Sequence, residues 1–429
     1  MPDPTARVVR ASSALICSVR IRRPPTPGRW QPGPARFGFS QPAQAAAHDE
    51  AARRTYLEDG PAGILFGSDQ APTRWHLSEP MPTNLPVRVE AVELLMPPRW
   101  LSPDTGIAVV HVSLTGEPVA GLQDLVTIPA GPGPLRATLD RILPPGAALA
   151  DGPQRAFSVS FVSFTAPPEF RMSPAYASWT ADRQWLWGMA SATTEDRYPP
   201  DPDDELLLRS LLKLSADWRA LVLRDGAAFV GLRPHDPQRP SFLDLGQLLV
   251  HTVYTDVFIL GFLQRQVMHS YANRLALELA RDFDPALLSE LEHDFIRVRT
   301  SLWWEKTTAR GVGNTLLREF QLQNRLNELV AKVREDLSDS ARLVQTESAG
   351  RQDVALGALS ILGLPFGLVF AVGSVLGEGP MVTFVCLAVS LVTVALLHLA
   401  RGVRELTREL TTQVVGRRAA SADDRRCAP

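Results

Sequence analysis

Cysteine and lysine are scarce in this chain of 429 residues. Its three cysteines, Cys17, Cys386 and Cys427, stand far apart, which argues against a disulfide framework or a cysteine zinc site and fits a reducing compartment. Lysine occurs only at Lys213, Lys306 and Lys332, so nearly all positive charge is arginine. With abundant Ala, Pro and Gly, that bias points to a GC-rich, bacterial coding sequence. Charge excess is missing too: a formal net charge of −2 provides no overall basic field for nucleic acid. Catalytic signatures are also lacking. There is no Gly-x-Ser-x-Gly, Walker loop, His-Glu-x-x-His or Gly-rich dinucleotide fingerprint, so neither an enzyme class nor a bound cofactor is expected.

Long apolar runs are present. Val354–Leu376 and Met381–Ala400 flank Gly377-Glu378-Gly379-Pro380 and, apart from His398, hold no ionisable side chain but the thiol of Cys386. About 20 apolar residues cross the roughly 30 Å hydrocarbon core, so each run is long enough to span and the four-residue turn makes an antiparallel hairpin. Arg342 and Arg351 precede the first run, and Arg401, Arg404, Arg408, Arg417 and Arg418 follow the second, whereas the turn carries no cation. The positive-inside rule then places both termini in the cytoplasm and Glu378 outside, in a multi-pass protein of the cell (inner or plasma) membrane.

The expected fold class is an α+β/α membrane protein: a cytoplasmic α/β domain, a long helical stalk and a two-helix transmembrane hairpin. Residues 1–58, rich in Pro, Ala and Arg, read as a disordered segment, with Ala11–Val19 too short for a span and read as part of a mis-started leader rather than a signal peptide. Residues 59–240 form the α/β domain. Its candidate strands are Gly63–Gly67, Val87–Leu95, Ile107–Leu114, Phe157–Phe164 and Gln184–Ala190, with a hairpin of Trp218–Leu223 and Ala227–Leu232 around Arg224-Asp225-Gly226. Leu135, Leu139, Ile142 and Leu143 give one helical face, and Leu206, Leu207, Leu211 and Leu214 another.

Residues 241–353 are read as a helical bundle and stalk, 354–400 as the spans (354–376 and 381–400), and 401–429 as a basic tail. A first helix runs from Ser241 to about Asp282; Asp244, Gln247, His251, Thr255 and Asp256 argue against a membrane position for it. A second starts at Asp284-Pro285 and reaches roughly Thr308, before a break at Gly311-Val312-Gly313-Asn314. The third carries a stripe of Leu322, Leu326, Leu329, Val333, Leu337 and Val344, with no proline over Thr315–Leu364. Continued into the first span it would be an unbroken rod of about 60 residues, roughly 90 Å, whose narrow stripe favours bundling.

This order of elements resembles the CorA-type metal ion transporters. The local likeness lies in Ile361-Leu362-Gly363-Leu364-Pro365-Phe366-Gly367-Leu368-Val369-Phe370-Ala371 and in Gln323-Asn324-Arg325-Leu326-Asn327, and the resemblance covers roughly residues 240–410. It implies a homopentamer in the lipid bilayer that carries a cation, a divalent metal among the candidates. The family places Gly-Met-Asn at the outer end of the first span, where this chain has Ser374-Val375-Leu376. Val375 and Leu376 supply no side-chain oxygen ring for a hydrated ion. The resemblance therefore implies fold and assembly more than magnesium selectivity, and a membrane-anchored sensor or effector is the alternative.

Gly357, Ser360, Gly363, Gly367, Ala371 and Ser374 share one helical face, either lining a pore or packing spans together through Gly363-x-x-x-Gly367. Ser374, Val375, Leu376 and Glu378 are the pore-mouth candidates; Glu378 forms a negative ring in an oligomer or is a solvated turn residue. Asp353 is a second ring or an interfacial residue, and His398 reads as interfacial. Asp201-Pro202-Asp203-Asp204-Glu205 reads as a helix N-terminus rather than a cation site, Glu292-His293-Asp294 as a weak metal candidate, and Trp303-Trp304 and Trp185-Leu186-Trp187 as core or interface anchors. Glu378→Cys, in a background without the native cysteines, is expected to react with an impermeant maleimide added outside intact cells. Reaction only after the membrane is opened would overturn this topology.

Overall fold

Nine strands form the main path of a large sheet in the computed structural model: β1 (Val8–Ile21), β2 (Gln31–Pro32), β3 (Arg74–Leu77), β4 (Val87–Leu95), β5 (Thr105–Leu114), β6 (Phe157–Phe164), β7 (Leu211–Ser215), β8 (Trp218–Val222) and β9 (Gly226–Gly231). Their order is β7-β8-β9-β6-β1-β5-β4-β3-β2, with short strands Ala147–Leu149 and Met81–Pro82 pairing with β1 and β4. The structure describes residues 8–37 and 50–342, less 69, 79–80, 83–86, 103, 132, 170–171, 235–241, 280–284 and 305; beyond 342 it describes only Gly367, Phe384 and Ala388. The mixed α/β content of the N-terminal region is as expected, but within this sheet only β6 and β9 pair in parallel.

Helices cover both sheet faces. Along β6, Phe157 packs against Phe258 and Phe320 in tilted and edge-to-face arrangements, with ring centroids 5.3 and 5.1 Å away, while Phe164 on the opposite face meets Trp185 at 5.2 Å. A strand buried on both faces cannot show apolar–polar alternation, so β6 (FSVSFVSF) puts small serines between its large residues. One layer contains α3 (Pro118–Val126), α4 (Pro134–Ile142) and α5 (Ala181–Ser191), which share a core with β1, β4 and β5. The opposite layer contains α1 (Glu50–Tyr56), α2 (Asp59–Phe66), α7 (Phe242–Leu249), a π-helical turn at Val250–Tyr254, α8 (Thr255–Leu279), α9 (Pro285–Leu302) and α10 (Gly311–Gln323). A short α6 (Glu205–Arg209) precedes β7.

Several expectations are corrected here. The expectation of a disordered segment over residues 1–58 fails for its described residues, 8–37 and 50–58, because Val8–Ile21 is the longest described strand and lies between β6 and β5. Small and β-branched residues in ASSALICSVRI fill a closely packed sheet centre, and Ala14, Leu15, Ile16 and Cys17 are fully buried. The domain therefore starts well before residue 59. Nor do the helices after 241 form a separate bundle: chain contacts divide the protein into Met1–Glu335 and Asp336–Pro429, so they belong with the sheet. Gly63–Gly67 falls mostly in α2 and Gln184–Ala190 in α5, where short apolar runs are helical because their residues face the core through consecutive turns. Leu211 and Leu214 lie in β7 rather than on a helix.

Leu245–Leu277 is long and apolar enough to cross a membrane, but 94% of its most apolar window is buried within the protein. The expected break at Gly311–Asn314 is instead the first turn of α10. The rod expected from Thr315 is interrupted at Asn324 and Arg325, and Arg325 adopts φ 51°. Asn324 Nδ2 donates to Phe320 O at 3.0 Å, while its Oδ1 accepts from Arg265 of α8 at 3.0 Å. That tie stops α10, and helix resumes over 326–342 with a new phase. Leu322 is consequently 56% exposed whereas Leu326 and Val333 are buried. The spans 354–376 and 381–400 and the tail lie outside the described residues, apart from the three helical positions named above.

Leu15→Ala is expected to destabilise the domain by about 2–5 kcal/mol, measured as a shift in urea midpoint. Deleting residues 1–21 should leave no cooperatively folding domain. A deletion protein that melts like the full chain would show the strand to be dispensable.

Candidate functional site

A one-residue irregularity in β4 creates the most unusual chemistry of the described residues. Val87 and Val89 belong to the core cluster with β5 and α3; after a register shift between Val89 and Ala91, the residues in that cluster are Val92 and Leu94. The shift turns Glu93 towards the opposite helical layer, the usual effect of an extra residue in a strand. Glu93 there meets Arg74 of β3, His111 of β5 and, from the helices, Arg53, and both arginines also bind Asp256.

Four charged groups form a closed set. Arg53 reaches Asp256 through Nε and Nη2 at 2.7 and 2.6 Å, a bidentate pair. Arg74 donates to Glu93 at 2.6 Å and, through its other terminal nitrogen, to Asp256. Ala35 N adds a donor to Glu93 Oε1 at 2.6 Å. All four charged side chains are 0–1% exposed. Phe66 lies beneath the guanidiniums, its ring centre 5.8 Å from Arg53 and 5.6 Å from Arg74. Burial alone would raise the Glu93 pKa, but the positive charges of Arg74 and Arg53 and the bond to His111 hold it well below the usual carboxylate range.

A directional hydrogen-bond chain leaves this set. His111 Nε2 lies 3.1 Å from Glu93 Oε2, His111 Nδ1 lies 2.9 Å from His251 Nδ1, and His251 Nε2 lies 2.8 Å from Ser12 Oγ. Gln247 Nε2 donates to Ser12 Oγ at 3.1 Å. With Glu93 ionised, one proton arrangement satisfies every step: His111 donates from Nε2, His251 from Nδ1 and Ser12 from its hydroxyl. A second proton on His111 would set two N–H groups against each other across the 2.9 Å contact, and one on His251 would sit on Nε2 and displace the Ser12 hydroxyl as donor there. Burial first, then neighbouring positive charge, lowers the pKa of both histidines, against the pull of Glu93. His251 stands in the π-helical turn, where Thr255 Oγ1 donates to Val250 O at 2.6 Å across the widened ring.

Ser12, His251, His111 and Glu93 thus repeat the order of a nucleophile, a base and an orienting acid, extended by one imidazole. Their 0–1% exposure leaves no route for a substrate, so the arrangement is a structural tie between sheet and helices. The sequence signals were isolated polar residues within apolar runs: Glu93, His111, His251 and Asp256. The last two argue against a membrane position for their helix, but nothing in their spacing reveals the partners on strands.

Among the sequence-named positions, Gly367 is described only as an exposed helical residue. Gly357, Ser360, Gly363, Ala371, Ser374, Val375, Leu376 and Glu378, with Asp353 and His398, lie outside the described residues. Asp204 Oδ1 accepts from Leu207 N at 3.3 Å at the start of α6, in line with the N-terminal capping reading. Glu292 and His293 are exposed, and no metal-holding group occurs among the described residues. Trp185 and Trp187 belong to the core, while Trp303 and Trp304 are half-buried.

The buried neutral histidines make stability depend on pH. Below their ordinary value near 6.5 the unfolded chain binds protons that the folded one refuses, so this stability is present above pH 6.5 and lost as pH falls. A histidine held neutral throughout pH 7.5 to 5.5, as His251 is best placed to be, contributes a loss of about 1.4 kcal/mol; His111 adds to it with the same sign, and Glu93 does so at lower pH. His251→Gln is expected to flatten the dependence of urea midpoint on pH over that window. An unchanged slope would show that His251 is not held neutral. No protein-family model matches this chain, and no curated protein or solved structure matches it either.

Proposed function

We propose that the chain is a two-span, self-associating membrane protein of CorA-like architecture that conducts a cation, a divalent metal being the leading candidate, along its first span. The observation that carries this reading is the pair of apolar runs, Val354–Leu376 and Met381–Ala400, separated by four residues and flanked by arginines at both cytoplasmic ends. The described fold supports it through element order: a sheet domain, then helices from 242 to 323, then a helix over 326–342 ahead of the first run. In this reading the stripe from Gly357 to Ser374 packs the first spans around a common axis and lines the path between them. Glu378 concentrates cations at the outer mouth, and the membrane potential supplies about 2.3 kcal/mol per elementary charge per 100 mV for inward movement.

A second reading has its own support. Ser374-Val375-Leu376 stands where the family has its ion-holding Gly-Met-Asn, which favours a membrane-anchored sensor or effector whose hairpin serves anchorage and self-association.

The protein reconstituted into vesicles is expected to pass a divalent or monovalent cation, with Glu378→Gln slowing entry several-fold at low ionic strength. Absence of flux for every cation tested, from an intact oligomer, would remove the conduction reading and leave the anchored one.

A further inference from the structure

The basic run Arg20-Ile21-Arg22-Arg23-Pro24-Pro25 leads out of the central strand into a groove of about 660 Å³. We propose that this groove binds a phosphate-bearing anion, with Arg22 and Arg99 as its principal ligands and Trp75 as an aromatic wall. The proposal is independent of whether the hairpin conducts.

Three arginines, Arg22, Arg23 and Arg99, line the groove, and no carboxylate lines it among the described residues. Their charges are not equally engaged. Arg20, two residues before Arg22, is paired with Asp151 and does not line the groove. Arg23 gives its Nε to the carbonyl of Pro145 at 3.3 Å, which holds the side chain in place without cancelling its charge. Arg22 and Arg99 have no ion pair or side-chain hydrogen bond among the described residues, and both are exposed. Guanidinium groups present planar paired donors that match phosphate oxygens.

The remaining wall suits an organic anion better than a bare ion. Trp75 is 7% exposed yet lines the groove, and its indole N–H has no partner among the described residues. Met96 and the rigid pair Pro97-Pro98 extend the apolar side. A volume of about 660 Å³ lies within the roughly 300–1,000 Å³ typical of small-molecule clefts. The shared chemistry is therefore a phosphate attached to an apolar or flat body, supplied either by a soluble nucleotide or by a lipid headgroup.

Calorimetric titration of the full chain in detergent distinguishes the sources, using ATP in one arm and dihexanoyl phosphatidylglycerol below its micellar concentration in the other. One probe is expected to bind the native protein. The doubly substituted Arg22→Glu, Arg99→Glu protein should bind it at least about tenfold more weakly, since each lost charge-assisted contact is worth about that factor. Both side chains are exposed, so folding should survive, and an unchanged melting temperature would check it; Arg99→Gln gives a milder second variant. Arg20→Glu should bind as the native protein does. Failure of both probes to bind, equal binding by the double variant, or an equal loss in Arg20→Glu would overturn the proposal.

Discussion

Two guanidiniums and two carboxylates withdrawn together from water are tolerable only if each charge is met where it sits. Arg53, Arg74, Glu93 and Asp256 meet that condition through bonds that cross from β3 and β4 to α1 and α8. Replacing such a set by well-packed apolar residues is often neutral, whereas removing one member leaves an unmatched buried charge at a cost of about 3–5 kcal/mol. The cluster is thus better understood as a constraint on arrangement than as a source of net stability. Only one placement of α8 against the sheet satisfies it. Arg53 Nη1 and Arg74 Nε lack hydrogen bonds among the described residues, which leaves little tolerance for sliding α1 or β3.

Two local irregularities make that placement possible. The register shift in β4 reverses which residues face the C-terminal helices, and without it Glu93 would point into the apolar core shared with α3 and α5. The π-helical turn at Val250–Tyr254 adds a residue to the helix that carries both His251 and Asp256. Each feature is locally less favourable than a regular element, and they occur on facing partners of the same polar network. Phe37 closes the network from outside, its ring centre 4.5 Å from His111 and 5.6 Å from His251. The segment 8–37 is therefore structurally inseparable from the helices more than 200 residues later.

Strand positions were most legible where local pattern and burial agree. β5, β6 and the β8–β9 hairpin follow from β-branched runs and Asp225-Gly226, and α4 follows from its leucine spacing. β1 was missed because small residues at a crowded sheet centre look like low-complexity sequence, and because its arginine-rich flanks suggest a leader. Trp185-Leu186-Trp187 misleads in the opposite way: aromatic composition favours a strand, yet Ala181–Ser191 is a helix with both faces near apolar neighbours. The break at Arg325 carries no proline or glycine. It depends on Arg265 holding Asn324 across 59 positions of sequence, a tertiary contact no local window contains. The buried site was legible only as misplaced polarity, since partners on β3, β4, β5 and α1 have no common spacing.

The Ser12–His251–His111–Glu93 chain shows why wiring alone does not define an active site. Each bond resembles one that activates a hydroxyl in acyl transfer, and the proton order is equally unambiguous. Catalysis also needs a place for the reacting carbon beside the hydroxyl and a donor for developing charge. Ser12 is fully buried, and its oxygen is already occupied by the amide of Gln247. Since a second proton would break the order at the His111–His251 contact if placed on His111, and at the His251–Ser12 contact if placed on His251, the same residues that could relay a proton in an open cleft here oppose protonation. Neutral histidines let the polar chain end at Ser12 without bringing a third positive charge to a set already balanced by two carboxylates.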